Sequence, residues 1–191
     1  TLILALKGEE YTIRRTRDEA LFADSDFVID VGGVLDPMKG RFDHHQLGGA
    51  GKRENGIPYA SFGLLWNQFG LELCEGNSEV ADRLEKKLVV GIDALDNGVE
   101  VFTNIHKDIY PYTIGSFFAS FYPSEDASIE DNDRAFLTCV NIAKDLLSRE
   151  ISSGIEQVTL QQKVIEAYQK AGDKRVVALD GRYPWGEVLG K

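Results

Sequence analysis

Apolar and polar positions along the chain change period several times, and each change marks an element. Residues 26–31 (DFVIDV) are a continuous β-branched run closed by Gly32 and Gly33, the pattern of a strand. Residues 33–42 (GVLDPMKGRF) read as a hairpin, because Pro37 presets φ and Gly40 admits the positive φ of a tight turn. Residues 48–56 are glycine-rich and polar, hence a loop. Over 58–70, Tyr59, Phe62, Leu65, Trp66 and Phe69 recur three and four apart, which predicts a helix. A second helix is expected over 78–90 with Ser78 as its N-cap. Gly91 to Gly98 (GIDALDNG) then reads as the end of that element and a loop.

Residues 99–123 are aromatic and irregular. From Ile129 the helical period returns, first as Phe136, Cys139, Val140, Ala143, Leu146 and Leu147, then as Val158, Val164, Ile165 and Tyr168. Gly172 is placed to stop it. Short strands are also expected at Tyr11–Arg15 and Val176–Leu179, and residues 1–7 read as the tail of a helix or strand. The expectation is an α/β fold, a mostly parallel sheet flanked by helices. Residues 1–123 would form the site-bearing domain and 124–191 a helical to mixed C-terminal extension.

Composition narrows the class. The 191 residues are 43% hydrophobic and 27% charged, enough to bury a core without disulfides. Cys74 and Cys139 have neither CxxC spacing nor a neighbouring His, so free thiols in a reducing compartment are expected. No apolar run reaches the ~20 residues of a membrane span, and an intracellular, cytoplasmic location without membrane contact is expected. The net charge of −10 argues against non-specific grip on duplex nucleic acid, but not against a small phosphoester or a strand end held through cations.

The chemistry concentrates in three places. Asp30 ends the DFVIDV run, Asp43-His44-His45 follows the hairpin, and Asp93 and Asp96 lie in GIDALDNG. Each has an ordinary reading: Asp after a strand is a turn residue, and paired histidines are often solvated. Together they join carboxylates to imidazoles, the ligand set of intermediate divalent ions. Asp30 also stands where ligands gather in open α/β sheets, beyond a strand's carboxyl end. Lys52 and Arg53 in the glycine loop are candidates to meet a phosphate, whereas the Arg14, Arg15 and Arg17 cluster and His106 read as surface features. The aromatic run at 110–122 reads as a core or interface patch before a base-stacking one.

The runs Asp30-Val31-Gly32-Gly33, Arg41-Phe42-Asp43-His44-His45-Gln46 and Asp93-Ala94-Leu95-Asp96-Asn97-Gly98 resemble the melanocyte-proliferating-gene family, which is similar to the DHH phosphoesterases. The resemblance extends through Phe62-Gly63-Leu64-Leu65-Trp66 and Ala135-Phe136 to Pro184-Trp185. It implies a metal-dependent phosphoester hydrolase, a phosphodiesterase or 3′–5′ RNA exonuclease, using Mn²⁺, with Mg²⁺ or Zn²⁺ as alternatives. Phosphoester substrates, RNA ends among them, are the implied partners, and a homo-oligomer is compatible with it. Asp30 is implied as a metal-bridging carboxylate, His44 as a ligand and His45 as the residue on the phosphoryl group. Asp43 is implied either to orient a histidine or to touch the metal through water. Asp96 is the late ligand, with Asp93 its rival. The family's further motif, H-x-x-x-F-H-x-D-E, does not occur in these residues, so this sequence is expected to hold at most one ion well. Rival readings are a nucleotide-binding or regulatory module without catalysis, and a scaffold recruiting partners through its aromatic segment.

Overall fold

The computed structural model describes residues 11–190. The expected element at 1–7 lies outside them.

Among the described residues three two-residue strands form a sheet: β1 (Val28–Ile29), β2 (Leu35–Asp36) and β3 (Arg41–Phe42), in the order β1-β3-β2. β2 and β3 make the expected hairpin, closed by a 3₁₀ turn at Pro37–Lys39 and by Gly40 at φ 67°. β1 runs parallel to β3, with Val28 opposite Arg41 and Ile29 opposite Phe42. The sheet is therefore small and mixed rather than mostly parallel. Neither Tyr11–Arg15 nor Val176–Leu179 is a strand. The parallel pair nonetheless matters most, because it brings the carboxyl ends of β1 and β3 to one edge.

Helix α1 (Ser61–Leu73) covers the sheet. Its Phe69 meets Phe27 and Phe42, with ring centroids 6.2 and 6.0 Å apart. Phe42 is fully buried there. Helix α2 spans Ser78–Leu84, but its N-cap is Asn77, not Ser78, and Asn77 accepts the Val80 amide at 3.2 Å. α2 continues through a π turn (Glu85–Val89) into α3 (Val90–Asp96). The expected loop at Gly91–Gly98 is thus mostly helix. An interior Gly costs only about 1 kcal/mol, which burial of Val89 and Ala94 on this run outweighs.

A short helix α4 (Ile114–Ala119) breaks the irregular aromatic stretch. The two C-terminal stripes belong to one 42-residue helix, α5 (Ile129–Lys170). Ser128 caps it by accepting the Asp131 amide at 3.1 Å, and Glu130 and Asp131 suit its positive end. Its buried residues, Leu147, Ile151, Gly154, Val158 and Val164, run from the end of the first stripe into the second. At Gly154 the helix passes so near Val80 of α2 that an added Cβ would press on its side chain at 3.0 Å. α6 (Trp185–Leu189) rests on α5 through Glu187, which accepts from Gln157 and Gln161.

Candidate metal centre

The parallel register sets the site. Because Ile29 pairs with Phe42, the next residues, Asp30 and Asp43, leave the sheet side by side, and the Asp30 amide donates to Phe42 O at 3.0 Å. Asp30 adopts φ 64°, a left-handed conformation that Asp tolerates better than most residues. The turn places its carboxylate against His44, with Oδ1 3.4 Å from Nε2. Ser61, the first residue of α1, donates to the same Oδ1 at 3.0 Å.

From the far side Asp96, at the end of α3, brings Oδ2 to 3.2 Å from His44 Nε2. His44 is buried, its side chain 8% exposed, while both carboxylates reach solvent. Its Nε2 has no hydrogen-bond partner despite two carboxylate oxygens this near. A buried imidazole nitrogen facing two carboxylates without a proper hydrogen bond is a donor set that suits a divalent cation. Asp30, His44 and His45 each also offer a ligand atom, all within 4.8 Å of one another. These residues fit an ion.

Asp43 faces inward. It is 1% exposed and gathers the surrounding loop: Oδ2 accepts the Gly33 amide at 2.6 Å, and Oδ1 accepts the His44 and His45 amides at 2.7 and 3.2 Å. Oδ1 also lies 2.6 Å from His45 Nδ1. Burial pushes the Asp43 carboxyl up, but the His45 contact and the three amides outweigh it and hold the group below the usual carboxylate range. In return, the Asp43 hydrogen bond raises the His45 imidazole above its ordinary value. His45 is held through Nδ1, its ring tilted 4.3 Å from that of His44. Its Nε2 remains for a ligand. Asp43 thus ties the His45 imidazole and the Gly33 turn to one buried carboxylate.

Asp93 and Arg53 lie elsewhere. Asp93, fully buried, is not brought to the cluster with Asp96: it accepts the Gly63 amide at 3.0 Å and pairs with Arg53 Nη2 at 2.8 Å. Arg53, expected to meet a phosphate, turns inward. Its guanidinium pairs with Glu85 at 2.5 Å and lies 4.2 Å over the Tyr59 ring. The reason is electrostatic: two carboxylates of the α2–α3 run, buried or half-buried, need a cation beside them. Burial works against the charge on Arg53, but Glu85 and Asp93 more than compensate and raise its pKa. Lys52 stays exposed, its backbone bridged to Pro58. Ser61 and Glu85 were not singled out by the sequence. Ser at a helix start reads as a cap, and Glu85 as one more surface charge.

Among the described residues no helix is long and apolar enough to cross a membrane. The model of the MYG1 exonuclease family, described as an uncharacterised protein family (UPF0160), matches residues 1–191. The MYG1 protein C694.04c of Schizosaccharomyces pombe is 28% identical over 193 residues, covering 91% of this chain and 59% of its own. The MYG1 exonuclease of Homo sapiens is 26% identical over 205 residues (93% and 54%), and that of Rattus norvegicus 35% identical over 201 residues (93% and 53%). The chain thus spans little more than half the length of these relatives. No solved structure matches it. With the family model matching from end to end and relatives of that name aligned over nine-tenths of its length, the chain belongs to the MYG1 family.

Proposed function

We propose that the protein is a divalent-metal-dependent phosphoester hydrolase, an exonuclease that removes nucleotides from the 3′ end of RNA, with Mn²⁺ as its working ion and a likeness to the DHH phosphoesterases. The observation that carries this reading is His44 Nε2, buried, without a hydrogen bond, and flanked by Asp30 and Asp96 at 3.4 and 3.2 Å. The exonuclease name of the relatives from Homo sapiens and Rattus norvegicus supports the substrate class.

In this reading Asp30, His44 and Asp96 hold the ion. A bound divalent cation supplies Lewis acidity, lowering the pKa of water and polarising a phosphoryl oxygen. The chain's own residues do the rest. Ser61 steadies Asp30 through its hydroxyl. Asp43 fixes His45 through Nδ1, so that Nε2–H of the imidazolium donates to the phosphoryl oxygens as charge builds on them. Lys52, exposed in the glycine loop, meets a backbone phosphate in this reading.

The test uses the full-length protein on short RNAs carrying a label at either end. Mn²⁺ is expected to support stepwise shortening from the 3′ end, and excess chelator to stop it. Equal turnover in chelator would overturn the metal-dependent mechanism, and shortening from the 5′ end would overturn the polarity.

A further inference from the structure

The Arg53–Asp93 pair joins the two segments that deliver groups to the metal cluster. Asp93 lies on α3 one turn before Asp96, which faces His44. The same Asp93 carboxylate accepts the Gly63 amide at 3.0 Å in the first turn of α1, two residues after Ser61, which holds Asp30. α1 has no capping side chain of its own, so the Asp93 carboxylate supplies an acceptor at its start from another helix. Arg53 then ties in the loop that follows the histidine pair: its guanidinium touches Asp93 and Glu85, its Nη1 reaches Pro58 O at 3.4 Å, and its backbone amide bonds Ile57 O at 2.9 Å.

The packing leaves no slack. A Cβ at Gly63 would overlap the Asp93 carboxylate and the Arg53 guanidinium. Asp93 is 0% exposed and the Arg53 side chain 8%. A carboxylate and a guanidinium this buried are costly to keep unless the geometry does something a hydrophobic pair would not.

We infer that the Arg53–Asp93 ion pair is a positioning device for the cation site, setting the separation of Asp30 and Asp96 about His44 by locking the end of α3 to the start of α1. The inference rests on the reading of that cluster as a cation site. Neither residue touches the ion; each acts through the residues it aligns. Arg53 is suited to this because its planar fork bridges two carboxylates at once, which a Lys ammonium cannot reproduce.

The experiment compares full-length wild type, Arg53→Lys, the double variant Arg53→Met/Asp93→Asn, and His44→Ala. Arg53→Met/Asp93→Asn removes the two most buried charges together and leaves only the half-buried Glu85 carboxylate without its cation, while its Asn still accepts the Gly63 amide, so it is a milder test of folding than a single charge deletion. Mn²⁺ affinity is measured by calorimetry well below each melting temperature, together with the line shape of bound Mn²⁺ in electron paramagnetic resonance. The double variant is expected to bind roughly ten- to hundredfold more weakly, as loss of outer partners does at metal sites, with Arg53→Lys between it and wild type and with an altered line shape. Wild-type affinity and line shape in both variants, with His44→Ala abolishing binding, would overturn the positioning role and leave the site reading standing. Lowered melting temperatures alone would equally overturn it. Absence of binding in the wild type would overturn both.

Discussion

His44 and Asp96 meet across the molecule, Nε2 to Oδ2 at 3.2 Å, although one follows a hairpin and the other ends a helix. Two carboxylates on one imidazole leave negative charge that only a cation or a proton offsets. Removing His44 therefore removes the group around which both acids gather. His44→Ala is expected to lower Mn²⁺ affinity at least as much as loss of an outer partner does, roughly 10–100-fold. Titration calorimetry on the full-length protein checks this, and an unchanged affinity would place the site elsewhere.

Cation binding is also expected to stabilise the fold. An ion that binds the native state alone contributes about 2.7 kcal/mol at a hundred times its dissociation constant. The melting temperature should rise with Mn²⁺ in wild type and stay flat in His44→Ala. A rise of equal size in both proteins would mean that the ion acts somewhere other than this cluster.

His45 and Asp43 separate binding from chemistry. His45→Ala is expected to reduce turnover more than ion affinity, since its place is on the phosphoryl group. Asp43→Asn loosens His45 and the Gly33 turn together, because one buried carboxylate serves both. It should cost about 1–3 kcal/mol of stability as well as turnover. Denaturant unfolding and initial rates, measured side by side, distinguish the two variants.

Gly63→Ala puts a methyl group into the space of the Asp93 carboxylate and the Arg53 guanidinium. Overpacking of this kind costs about 1–3 kcal/mol. Urea unfolding should show the loss as a lower midpoint with an unchanged slope. A variant as stable as wild type would show that α1 does not lie against the ion pair.

Cys74 is fully buried, and burial pushes its thiol up to about 11 from 9.0. A raised pKa means that the folded state prefers the protonated form. Stability from this group is complete below about pH 9 and falls as pH rises towards 11, by up to roughly 2–3 kcal/mol. Unfolding free energy measured across that range should decline accordingly, and Cys74→Ala should flatten the decline. Alkylation at neutral pH should label half-buried Cys139 before Cys74.

Local chemistry made several features legible in the sequence. Pro37 and Gly40 specify the hairpin through their own φ preferences, and the spacing of Phe62, Leu65, Trp66 and Phe69 specifies a helix face. That Asp30, His44 and Asp96 come together in space follows the mixture of carboxylates and imidazole and the family resemblance read from the sequence. What it could not contain was the outcome of competition between distant groups. Gly91 looked like a helix end, and burial of Val89 and Ala94 carried the helix past it to Asp96. Arg53 looked free to meet a phosphate, and the buried carboxylates of Glu85 and Asp93, far along the chain, drew it inward. The two stripes on α5 did not show where along the helix burial would be deepest, and packing against α2, with Gly154 beside Val80, centred it between Leu147 and Val158. Backbone preference and side-chain type act over a few residues and are written in the sequence. Desolvation and packing depend on which surfaces meet, and only the tertiary structure decided that.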